Sequence, residues 1–277
     1  MKKKVILAAI AALFTLTAFA QGKFESRKVG NFTLHVYNSG DVMADASYIV
    51  EGKKGLVILE EPLFKTNASA FDTYVKKLKK PVEARITNYH EGATGSHVVI
   101  QPEGMHKFMH EGVYDAMMKG FQQSFGDKMA ERPTGKAKEV AFGKSVTIDG
   151  VVYRFDKGPD NDFPAAQILI GKQVVLMHWA PAKAHMNNLQ LANREAVAQA
   201  LKGLKAAKAT GARFFIGGHG GLSTVDALDF RIQYLEKMET LLRENGDASA
   251  FVAALKKAYP DLTGAEGLEA LAKNLYQ

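Results

Sequence analysis

Apolar and polar positions alternate over residues 26–29 and 32–38 on either side of Gly30-Asn31, which predicts a β-hairpin. A second pair is expected at 46–51 and 55–60, joined by Gly52-Lys-Lys-Gly55. Its run Leu56-Val-Ile-Leu59 has no polar alternation, the pattern of a strand buried on both faces. The period then changes. Phe71, Tyr74, Val75 and Leu78 recur at helical spacing and predict a helix over 68–80, with Asn67 as N-cap and Pro81 as stop. A strand at 83–87 follows, ending in the polar turn Asn88-Tyr-His-Glu-Gly-Ala-Thr-Gly95. Residues 105–125 are helical in pattern, though Gly112 and Gly120 interrupt them, and 127–138 read as a loop.

The second half repeats the scheme. Segments 139–142, 145–148 and 151–155 are β-like, with Asp149-Gly150 as a hairpin turn. A polar loop at 157–164 precedes a hairpin at 167–170 and 173–177. Helices are expected at 193–209, from a Ser223 cap to Leu242, at 248–258 and at 265–275, with a buried strand at 212–216. Two similar halves, each with strands and covering helices, predict an α/β fold. The preferred form is a four-layer αββα sandwich, with a single doubly wound sheet as the alternative.

Composition changes this picture at one end. Lys2, Lys3 and Lys4, the apolar run 5–14 and Ala18-Phe-Ala20 form the pattern of a secretory signal peptide. The expectation is a leader at 1–20 and one domain at 21–277. The run 5–14 is too short for a membrane span, which needs ~20 apolar residues. The chain has no cysteine, so no disulfide staples an exported domain. A periplasmic or secreted protein is expected, with no membrane attachment after cleavage. Removing the leader's three lysines lowers the net charge from +7 to +4. The remaining lysines are dispersed, without the clustered cations and aromatic platforms of a nucleic-acid surface. A small-molecule ligand is the expected partner.

The histidines carry the candidate chemistry. His90 follows the strand 83–87, and His219 stands in Gly217-Gly-His-Gly220 after the strand 212–216. Strand ends are where α/β proteins place their sites. His178 follows the buried strand 173–177 and precedes Trp179, the chain's single tryptophan. Asp160 and Asp162 lie in the loop 157–164, Glu91 follows His90, and His185 lies in a segment of undetermined path. Each has a plainer reading: a hydrogen-bonded loop histidine or a solvated acid. His106 and His110 have helical i, i+4 spacing, but Lys107 stands where a metalloprotease helix carries glutamate. His97 shows no metal spacing, His35 occupies an alternating strand position, and Ser96, Ser124 and Ser223 lack a nucleophile elbow.

Five stretches, in order, resemble the metallo-β-lactamase superfamily. They are the hairpin Ala46 to Glu60, the loop Ile86 to Gly95, the loop Lys157 to Pro164, Gln173 to Trp179, and Phe214 to Gly220. The resemblance implies an αββα hydrolase with a dinuclear zinc site. It also exposes losses. The family's metal-loop histidines fall on Asn88, His90 and Ala93, and its aspartate falls on Gly92. The middle-loop histidine falls on Asn161, the bridging aspartate on or beside Trp179, and the last histidine on His219. Metal ligands are therefore expected at His90 and His219, and catalytic groups among His90, His178, Asp160 and Asp162. Two histidines from distant loops hold zinc weakly or not at all, since a catalytic zinc site takes about three protein ligands. The cofactor is thus open between zinc and none. One expectation is a binding module or non-standard hydrolase with an eroded zinc site. Another is a mononuclear hydrolase of a small ester, lactone or β-lactam. A third is a non-catalytic envelope protein whose pocket Trp179 blocks.

Overall fold

A computed structural model describes residues 22–159 and 164–277. The expected leader and the loop residues Asp160, Asn161 and Asp162 therefore lie outside the described residues. Chain order is β1 (Lys23–Val29), β2 (Phe32–Asn38), β3 (Ala46–Glu51), β4 (Leu56–Leu59), α1 (Lys65–Lys77), β5 (Val82–Ile86), β6 (Val99–Pro102), α2 (Met105–His110) and α3 (Gly112–Phe125). Then come β7 (Ala137–Val140), β8 (Lys144–Ile148), β9 (Val151–Lys157), β10 (Ala166–Ile170), β11 (Val174–Trp179) and α4 (Arg194–Ala209). The last elements are β12 (Phe214–His219), β13 (Leu222–Thr224), α5 (Val225–Glu244), α6 (Ala248–Ala258) and α7 (Leu268–Leu275). None of the described helices is long and apolar enough to cross a membrane.

The strands form two sheets. One runs β1-β2-β3-β4-β5-β6-β7 and the other β13-β12-β11-β10-β9-β8. The first is antiparallel through β4 and parallel beyond it. In the second, β11 and β12 are parallel, so both end at the same edge. The sheets pack face to face through Leu34, Val50, Leu59, Tyr153, Ile168, Leu176 and Ile216. The run at β4 behaves as its pattern predicts. Val57 and Leu59 enter this inner core, while Leu56 and Ile58 pack under α1 with Phe71. Similarly, Leu176 faces the inner core, whereas Val175 and Met177 join the outer core beneath α4 to α7. The result is the four-layer αββα sandwich; a single doubly wound sheet does not form.

Several boundaries differ from the sequence expectations. Helix α1 starts after Phe64, and Asn67 lies inside it as a buried residue. Its amide accepts from the Tyr37 hydroxyl and donates to Asp41, so tertiary partners hold it rather than a capping role. Residues 105–125 are two helices, because Glu111 is extended and Gly112 takes a left-handed φ of 60°. β7 takes in the last two residues of the predicted loop 127–138 and overlaps the β-like segment 139–142; its partner β6 is the strand that the local pattern did not announce. Ser223 sits in strand β13 and donates its hydroxyl to the Pro181 carbonyl, so α5 begins after Thr224 instead.

Candidate metal centre

The site forms at the edge where β4, β5, β11 and β12 end. Glu60, directly after β4, is almost fully buried and adopts a positive φ of 54°. Its carboxylate accepts the backbone N–H groups of Asn88 at 2.7 Å, Tyr89 at 3.1 Å and His90 at 3.1 Å. One buried anion thus folds the loop after β5 around itself, the role such a loop's unpaired donors require. It also faces His90 Nδ1 at 3.5 Å, leaving Nε2 turned into the site.

His219 arrives at the end of β12. Its Nδ1 lies 2.9 Å from the Met43 carbonyl oxygen, which fixes Nδ1 as the protonated nitrogen. Asp45 Oδ1 is 3.0 Å from the same nitrogen and acts as an electrostatic neighbour without hydrogen-bond alignment. Nε2 of His219 then meets Nε2 of His90 at 3.1 Å. His178, near the end of β11, stacks on Tyr89 with ring centroids 4.7 Å apart and 2° between the planes. Its neighbours are the two other imidazoles. Ligand nitrogens of His90, His178 and His219 all lie within 4.8 Å of one another, and no other cluster of this kind occurs among the described residues. Gly218 makes the approach possible, since a Cβ there would stand 2.5 Å from His90 Cε1.

Electrostatics separate the three rings. Burial opposes charging His90, but the carboxylates of Asp45, Glu60 and Asp41 outweigh it and raise its pKa. His178 is held well below the ordinary histidine range by burial and by the neighbouring His90 and His219. It therefore presents a neutral ring, the form that ligates metals. The side chains of His90 and His219 keep 19% and 13% exposure, so the cluster is reached from outside. Trp179 lies against His219, with centroids 4.1 Å apart, and lines the adjoining cavity, which His178 lines as well but His90 and His219 do not.

The remaining candidates are placed elsewhere. Asn88 gives both ends of its amide to the backbone of Ala166, Nδ2 to the carbonyl at 2.8 Å and Oδ1 to the N–H at 2.9 Å. It is a staple between the sheets. Gly92 cannot carry a side chain, because a Cβ would stand 2.0 Å from the Glu61 carbonyl oxygen. Glu91 is paired with Arg132, at 2.9 and 3.1 Å. His185 lies in the outer layer against the Tyr234 hydroxyl, 3.0 Å away. His110 contacts the His106 carbonyl and lies 3.5 Å from Glu91. His35 bridges Ser26, Tyr74 and Glu51. Sequence reasoning missed Asp45, Met43 and Tyr89 as supports of the site. Glu60 did carry a signal, since it closes the hairpin that resembles the family's opening motif.

The donor set suits one divalent cation. Nitrogens bound to the same tetrahedral zinc at ~2.0–2.1 Å lie about 3.3 Å apart, close to the separation of the two Nε2 atoms. Each of those imidazoles also has its Nδ1 held by an acceptor from behind, the usual support of a metal-binding histidine. Among the described residues a second cation finds no set, because Gly92 and Ala93 offer no ligand and Asn88 is spent on Ala166.

No protein-family model matches the sequence. No curated protein matches it either. Solved structures do. A metallo-β-lactamase family protein from Thermus thermophilus is 16% identical, with TM-score 0.54, over 91% of this chain and 90% of that one. A metallo-β-lactamase superfamily protein from Sulfolobus tokodaii is 15% identical, with TM-score 0.50, over 74% and 85%. The stereoselective inverting sec-alkylsulfatase Pisa1 from Pseudomonas sp. is 16% identical, with TM-score 0.54, over 87% of this chain and 48% of its own. The chain therefore spans about half of that sulfatase. It has the metallo-β-lactamase fold, with a cluster of three histidines at the position its strand ends define.

Proposed function

We propose that the chain is a hydrolase of small esters, lactones or β-lactams that works with a single metal ion held by His90, His178 and His219. The dinuclear site of the family has, on this reading, contracted to one three-histidine centre. The observation that carries it is the convergence of three imidazole nitrogens within 4.8 Å, two of them anchored by Glu60 and by Met43. His90, His178 and His219 would hold a zinc ion with a position left open for substrate or water, where it would supply Lewis acidity and activate water as a nucleophile.

The chain's own residues prepare that position. Glu60 orients His90 through the loop backbone, and the Met43 carbonyl keeps the Nε2 lone pair of His219 free. Tyr89 fixes the plane of His178 by stacking. The adjoining cavity, lined by His178 and Trp179, receives the substrate's apolar part. The protein acts after export, as a periplasmic or secreted enzyme without residues 1–20.

Metal analysis of the purified protein tests this reading. One zinc per chain, with ester or lactam hydrolysis lost on chelation, is expected. Two zinc ions per chain, or hydrolysis untouched by chelator, would overturn it. A protein that takes up no metal is instead a binding module built on the same fold.

A further inference from the structure

The cavity beside the cluster has a volume of about 250 Å³ and a largely apolar wall that includes Met177, Met186, Leu204 and Trp179. That is below the ~300–1,000 Å³ of sites for drug-sized ligands, so it suits a smaller molecule. One lining residue does not fit an apolar wall. Arg231 of α5 is only 3% exposed. Its Nη2 donates to the Ala182 carbonyl at 2.7 Å, and its Nη1 has no hydrogen-bond partner. The other enclosed arginines each have an acid: Arg85 faces Glu61, and Arg132 faces Glu91 and Asp115. Arg231 has no such pair among the described residues; its cation stands over the Tyr234 ring at 5.5 Å. Burial pulls its pKa down to about 10, so it remains charged at neutral pH. A buried, uncompensated guanidinium is costly, and a planar carboxylate answers its donors best.

We infer that this cavity binds a small monocarboxylate with a compact apolar body, its carboxylate paired with Arg231 and its body against Met177, Met186 and Leu204. Because His178 lines the same cavity, resting on the hydrolase reading the substrate is an ester or lactone that carries a free carboxylate. Binding itself needs only the cavity and the guanidinium.

Trp179 is the chain's single tryptophan and lines the cavity, so it reports occupancy directly. The full chain is titrated with hexanoate and with neutral hexanamide in the presence of chelator, by Trp179 emission and by calorimetry. Hexanoate is expected to bind at least ten times more tightly than hexanamide. Arg231→Met should abolish that preference, and Arg231→Lys should keep part of it. Equal binding of the two ligands, no binding of hexanoate, or a preference that survives in Arg231→Met would overturn the inference. The comparison of two ligands on the unaltered protein holds even where a variant fails to fold. Chelator removes the metal from the measurement, so a failed metal centre and a failed carboxylate site give different results.

Discussion

Nε2 of His90 and Nε2 of His219 face each other at 3.1 Å, although the residues are 129 positions apart in the chain. Each ring is held from behind, His90 by Glu60 and His219 by the Met43 carbonyl, so neither can swing its other nitrogen into the gap. Two anchored acceptors at that distance need something positive between them: a shared proton or a shared cation. His178, close to both, makes the cation the fuller answer.

Removing the third ring should therefore weaken metal binding and leave the fold intact. For His178→Ala the zinc dissociation constant is expected to rise at least about 100-fold, as losing one ligand from a three-ligand site should cost no less than losing a group that only orients a ligand. Competition with a chromophoric chelator measures it, with circular dichroism as the control. An unchanged constant would remove His178 from the centre.

Glu60 should matter to stability as well as to the site. Its carboxylate takes three backbone N–H groups in a buried place, and glutamine would oppose one of them with its own N–H. Glu60→Gln is expected to cost about 2–4 kcal/mol of unfolding free energy. Zinc affinity should fall as well, because His90 loses its support. Denaturant titration of the metal-free protein reads the first effect separately from the second.

Restoring the family's ligands at Asn88 and Gly92 should not rebuild a second metal position. Asn88→His breaks both bonds to Ala166, leaving its buried N–H unpaired and its carbonyl with the Tyr89 hydroxyl alone, a loss of about 1–3 kcal/mol. Gly92→Asp forces a Cβ into the Glu61 backbone and should prevent folding of the loop. A soluble Asn88→His variant that holds two zinc ions would contradict the view of Asn88 as a staple.

The pH dependence of stability should carry a contribution from Glu61. Burial lifts its pKa to about 7 despite the Arg85 guanidinium at 3.3 Å. A carboxyl whose folded pKa is raised is most stabilising below its unfolded value, and stability falls as pH rises from about 4.5 to about 7. The loss across that window is on the order of 2–3 kcal/mol. Glu61→Gln should flatten the profile, which unfolding midpoints at pH 5 and pH 8 would show. An unchanged slope in the variant would assign the dependence to other groups.

Local pattern determined most of the framework. The alternation at 32–38, the unbroken apolar run at β4 and the helical spacing of α1 and α4 are short-range signals, each dictated by one face that must be buried. The same signals put His90, His178 and His219 at strand ends. Tertiary structure alone decided that these three ends meet. β11 and β12 lie parallel and finish at one edge, and the sheets stack so that this edge faces the loop after β5. It also decided what the polar residues nearby are for. Glu91 and His185 look like ligands in a linear reading, yet each is taken by a partner 41 or 49 positions away, and Asn88, a lost ligand position by sequence, is bound to Ala166 78 positions away. Arg231 sits in an ordinary amphipathic helix by pattern, and only the packed cavity reveals a buried cation without an acid among the described residues. A sequence records which side chain is present; which donor or acceptor it meets is set by contacts that no local period encodes.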